Sequence, residues 1–128
     1  MKTTLIVVSL LTPLVSLAEC WTVTNLQGVS TRAAEGQAIS KDGYSGQRFE
    51  INILDAAGSV TPSDMKCRKT SKYSIVCIES GPEQATVETW AIDPQSKTVV
   101  HTKSRSGFGP LDGSNLFVGR VVGSCGAR

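Results

Sequence analysis

The chain has 128 residues, 40% of them hydrophobic, and its 13 Lys+Arg against 11 Asp+Glu leave a formal net charge of +2. The charges are interspersed along the sequence, which excludes the basic stripe of a nucleic-acid binder. One histidine and four cysteines with no Cys-x-x-Cys spacing argue against a metal site, a redox centre or a bound cofactor.

The N-terminus reads as a secretory signal peptide over residues 1–18. Lys2 supplies the positive start, Leu5 to Leu11 form the apolar run, and Leu14, Val15 and Leu17 extend it past Pro13. Ser16-Leu17-Ala18 places small residues at the −3 and −1 positions of a cleavage site. The run is too short for a typical spanning helix, and no later stretch is more apolar, so no membrane insertion is expected. Cleavage after Ala18 leaves residues 19–128, about 110 residues, enough for a single domain with one core. Lipid attachment to Cys20 is disfavoured because Glu19, large and charged, precedes it and an odd number of thiols would remain. The chain has no Asn-x-Ser/Thr sequon, which with the short leader points to a bacterial envelope protein, periplasmic in a Gram-negative cell.

Alternation with a period of two dominates the rest. Cys20 to Leu26 places Trp21 and Val23 on one face. Gln47 to Leu54 alternates Phe49, Ile51 and Ile53 with Arg48, Glu50 and Asn52. Tyr73 to Ile78 sets Tyr73, Ile75 and Cys77 against Ser74, Val76 and Ile78. Thr86 to Ile92 and Lys97 to Lys103 flank Asp93-Pro94-Gln95-Ser96, a hairpin signal with proline suited to the second turn position. Asn115 to Val122 closes the series, with Phe117 and Val121 opposing Leu116, Val118 and Val122. Only Ser30 to Glu35 offers a turn or two of helix. Lys41-Asp42-Gly43, Ala57-Gly58-Ser59, Thr61 to Asp64 and Ser106 to Ser114 read as turns or loops. Short strands punctuated in this way predict an all-β domain, a small antiparallel barrel or sandwich.

Four cysteines allow three pairings. A hairpin of Met65 to Lys69 with Tyr73 to Ile78, centred on Lys72, sets Cys67 opposite Cys77. That leaves Cys20 with Cys125, which requires the first and last strands to be neighbours, as in a closed barrel. On the loop-entropy argument the short tie is worth roughly 3 kcal/mol and the long one roughly 5 kcal/mol.

Catalytic constellations are sparse. His101 sits in a strand between Val100 and Thr102, where a lone histidine is ordinarily a surface or rim residue. Gly43-Tyr44-Ser45-Gly46 is one residue short of a nucleophile elbow. Glu50 and Glu88 lie on strands with nothing to bring them together and are expected to be solvated. Trp21 and Trp90 belong to the core. Two loops carry the remaining chemistry: Lys41 to Arg48, presenting Tyr44 and Arg48, and Ser104 to Gly113, presenting Arg105, Phe108 and Leu111 between glycines. Aromatic and arginine side chains on glycine-rich loops are the types that anchor protein interfaces. The same residues could instead fold back as a lid over one barrel end. The reading is therefore an exported, non-enzymatic module that binds another extracytoplasmic protein, of inhibitor or immunity type. The alternatives are a small secreted hydrolase built on His101, or an envelope adaptor that pairs through an exposed strand edge.

Overall fold

The structure, a computed structural model, describes residues 19–125; the predicted leader and its cleavage site fall at or beyond that boundary. Nine strands are described: β1 (Glu19–Arg32), β2 (Ser40–Tyr44), β3 (Phe49–Ile53), β4 (Ala57–Thr61), β5 (Lys66–Ser71), β6 (Ser74–Ser80), β7 (Ala85–Asp93), β8 (Thr98–Ser106) and β9 (Gly113–Ser124). All the pairings are antiparallel, and β9 returns to β1, so eight strands close into a barrel and β2 is the extra one. The predicted all-β barrel with two disulfides is what forms. Among the described residues no helix is long and apolar enough to cross a membrane.

β1 is long enough to serve two partners on one edge. Its first half pairs with β3, Trp21 opposite Ile51, and its second half with β2, Leu26 opposite Tyr44. Register shifts in β1 and a left-handed Asn25, φ 59°, mark the change of partner. Both disulfides match the expected pairing. Cys67 and Cys77 are cross-strand partners with Cα atoms 4.0 Å apart, and Cys20 and Cys125 tie the chain ends at 5.2 Å.

Two stretches read as turns are strands. Lys41-Asp42-Gly43 lies in β2 and Ala57-Gly58-Ser59 in β4. Ser30 to Arg32 belongs to β1, and only Ala33–Glu35 makes a single 3-10 turn. The long loop after Ser104 is also shorter than expected. β8 runs on to Ser106, and β9 begins at Gly113. At the predicted hairpin, Asp93 Oδ1 accepts the backbone N–H groups of Gln95 and Ser96, the capping role its position implies.

The core fills one end of the barrel. Val23, Leu26, Ile51, Ile53, Val60, Ile75, Trp90, Ile92, Val99, Phe117 and Val121 are buried there, with Trp21 and Tyr73, edge to face with each other, packed against them. That end carries the 72–73 and 94–97 connections and the Cys20–Cys125 bridge; we call it the lower end. The connections 33–39, 62–65, 81–84 and 107–112 gather at the upper end.

Candidate functional site

Opposed residues of an antiparallel ladder share a face, so the inward positions form rungs around the barrel. The deepest polar rung runs Ile75, Trp90, His101, Phe117, and the next Cys77, Glu88, Lys103, Asn115, Ser30. The uppermost runs Glu79, Thr86, Arg105, Gly113, Arg32. Inward side chains thus change from apolar to charged over three rungs, and Glu79, Glu88, Lys103 and Arg105 line a cavity of about 730 Å³ that opens at the upper end. Eight strands make an interior just wide enough either to be packed by side chains or to hold one small ligand. This barrel does the first below and leaves room for the second above.

The floor of the cavity is aromatic and ionic. The His101 ring stacks on Trp90 with centroids 3.8 Å apart, and its Nδ1 lies 3.1 Å from the Thr89 carbonyl oxygen. Lys103 Nζ sits 2.7 Å from Glu88 Oε1, while the Trp90 indole N–H donates to Glu88 Oε2 at 3.4 Å. Two expectations are overturned here. Glu88 is 5% exposed rather than solvated, and His101 is 1% exposed rather than a rim residue. Both are in phase with the buried face of their strands, and each finds cross-strand partners that offset its desolvation. Burial pushes the His101 pKa below its ordinary value, against the opposing pull of the Glu88 carboxylate.

A side recess of about 250 Å³ shares Tyr44, Lys103, Arg105 and Leu111 with the main cavity. Its wall from β1 and β2 holds the Asp42 carboxylate, which accepts from Ser30 Oγ at 2.8 Å, the Gly43 N–H at 2.8 Å and Arg32 at 3.3 Å. The Ser30 hydroxyl, then the Gly43 N–H and the Arg32 charge, hold its pKa below the usual carboxylate range. Asn115 Nδ2 is buried in this region with no hydrogen-bond partner.

Of the five residues singled out by sequence, four meet at this mouth. Tyr44 is half-buried, edge-on to Phe49 and Phe117 at 5.4 and 5.5 Å, so it is part of the cavity wall and not a protruding anchor. Arg105, Phe108 and Leu111 line the same cavity from β8 and the following loop. Arg48 does not line either cavity; its neighbours Gln47 and Phe49 do. Glu88, Lys103 and Asn115 carried no loop signal and were missed, although their phase with Trp90, His101 and Phe117 points them inward.

The loop bearing Phe108 is held in shape before any ligand arrives. The Asp112 carboxylate accepts the backbone N–H groups of Phe108 at 2.6 Å and Gly107 at 3.1 Å, and the Asp112 carbonyl accepts from Ala33 N–H at 2.7 Å. Gly107 has φ 84°, and a Cβ there would fall 1.9 Å from the Glu83 carbonyl oxygen, so only glycine lets the two upper loops meet. Among the described residues the strand outside the closed barrel is β2, five residues containing Lys41 and Gly43, the short charged kind that discourages edge pairing. No protein-family model matches the chain, and neither the curated proteins nor the solved structures give a significant match.

Proposed function

We propose that this protein is an extracytoplasmic binding module that receives a group projecting from a partner protein into the open mouth of its barrel. The observation that carries this reading is the contrast inside one barrel between a filled apolar end and an open cavity with a charged wall. Glu88 and Lys103 are paired on inward positions and Arg105 stands exposed at the rim, so charge gathers at the mouth, where a polar group from a partner would meet it. The pre-shaped 107–112 loop supports binding too, because a loop already ordered loses less entropy on association.

The concavity alters the expected mode of docking. Tyr44, Phe108 and Arg105 do not form a convex face; they ring a socket. Inhibitor and immunity proteins act by occupying a partner's surface, and a socket of this size suits an inserted side chain or loop tip. It also falls within the size range of small-molecule sites, which favours a free organic ligand as the second reading. Catalysis is the weaker reading, because His101 is occupied in the floor, stacked on Trp90 and bonded to a backbone carbonyl. Two disulfides suit an oxidising compartment, which supports an extracytoplasmic location.

Site-specific photo-crosslinking tests the proposal. Benzoylphenylalanine in place of Phe108 should give a discrete protein adduct in extracytoplasmic extract of the source cell, and the same group in place of Lys97 at the lower end should not. Adducts from the lower position alone would refute docking at the mouth.

A further inference from the structure

The side recess carries a more specific message about what enters the mouth. Its lining includes three cations, Arg32, Lys103 and Arg105, against the single carboxylate of Asp42. Asp42 is already engaged by Ser30, Gly43 and Arg32. Lys103 spends one contact on Glu88 and has two further N–H donors. Arg105, in register between Thr86 and Gly113, is exposed at the rim, and its guanidinium has no ion-pair or hydrogen-bond partner among the described residues. Beside Lys103 in register lies Asn115, whose Nδ2 is buried without an acceptor. A buried amide donor left unpaired costs stability and calls for an explanation. One buried donor without an acceptor and two cations with donors to spare, all bordering one recess, would be completed together by a single species: an anionic oxygen acceptor.

We infer that the recess formed by Arg105, Lys103 and Asn115 is a carboxylate-binding subsite. This rests on the mouth being the binding surface and names the group that enters it. The guanidinium fork of Arg105 matches the two oxygens of a carboxylate, and Asn115 and Lys103 complete the set of donors. About 250 Å³ accommodates a carboxylate and a few attached carbons, and the shared wall of Tyr44 and Leu111 receives the apolar part of the bearer. The carboxylate belongs either to an acidic side chain of the partner protein or to a small organic acid.

Titration of the 15N-labelled full chain with N-acetylglutamate at constant ionic strength tests this, with the neutral isostere N-acetylglutamine as control. The expected result is a saturable shift of the Asn115 side-chain amide and the Arg105 Nε–H, absent with the control. Arg105→Gln should weaken the response at least tenfold. Arg105→Lys should restore it in part, keeping charge but losing the fork. Equal shifts from the two probes, or none from either, would overturn the subsite. The crosslinking arm separates the sources and the two levels of inference. An adduct from position 108 that the free acid displaces and Arg105→Gln abolishes assigns the carboxylate to a protein partner. Saturation by the free acid with no adduct assigns it to a small organic acid and removes the protein-docking reading. An adduct undiminished by Arg105→Gln leaves the mouth as the docking surface and overturns the carboxylate alone.

Discussion

The two halves of the barrel share the ladder of β6 to β9, which runs through both in unbroken register, and what sets them apart is what the inward positions carry. Below the Trp90–His101 rung the inward residues are aliphatic and aromatic, the interior is filled, and the chain ends are cross-linked by Cys20–Cys125. Above it the inward residues include Glu79, Glu88, Lys103, Asn115, Arg105 and Arg32, and the space among them is open. Filling maximises buried apolar area and so stability. Leaving ions and space inside does the opposite, unless a ligand completes the site. The lower half explains why the domain folds, and the upper half is where the proposed binding site lies.

The sharpest way to break the comparison is to truncate an inward residue in the lower half. Ile51 is fully buried between Trp21 of β1 and Val60 of β4 in register. Ile51→Ala should cost about 2–5 kcal/mol in chemical denaturation, the transfer loss plus an unfilled cavity. Ligand capture by the folded fraction should be unchanged. A cost under about 1 kcal/mol would mean that the lower half is not the stabilising one.

A smaller effect is expected where the halves meet. Removing one partner of a buried ion pair strands the other, so Glu88→Gln should destabilise by about 2–3 kcal/mol, below the figure for a fully buried pair because Lys103 retains some exposure. The double change Glu88→Leu with Lys103→Met should recover most of that loss while impairing binding. Recovery of stability with binding intact would show that the pair is structural and lies outside the site.

Much of this contrast was legible in the sequence. Alternation located the long strands, and the Asp93–Thr98 turn sets the register of the hairpin that follows. Counting outward from that turn pairs Trp90 with His101, Glu88 with Lys103 and Thr86 with Arg105. The same count shows that a charge in phase with Trp90 and Ile92 points into the barrel, against the general expectation that acids on strands are solvated. β2 and β4 were illegible for a different reason. Their glycines read as turn formers, whereas Gly58 is in a strand because a Cβ there would fall 2.7 Å from the Ile75 side chain. Arg48 is exposed, as its alternation with the inward Phe49 implies, and that phase keeps it out of both cavities. The recess around Asn115 needs four strands, β1, β2, β8 and β9, brought together, which no local pattern conveys.

The mildest effect expected is a dependence on pH that belongs to the floor between the halves. His101 is buried and its pKa is lowered, chiefly by desolvation, with Lys103 adding to the effect and Glu88 and the Thr89 carbonyl opposing it. The unfolded chain therefore binds a proton more readily than the native one, and stability rises with pH across the window between the two values. Its contribution is complete above the ordinary histidine range, about 6.5, and is lost as pH falls toward the lowered native value. Asp42, also lowered, adds a second and separate loss, beginning only below the ordinary carboxylate range of about 4. Denaturation midpoints measured from pH 7.5 down to pH 3 should show the first decline in the native protein and not in His101→Gln, whatever the absolute stability of that variant. The second decline should persist in both and be reduced, not abolished, in Asp42→Asn, because Asp93, lowered by its hydrogen bonds from Ser96 and Gln95, contributes in the same window. A native profile flat between pH 7 and pH 5 would mean that the floor admits a charged imidazole, and the boundary between filled and open halves would then lie one rung lower, beneath Trp90.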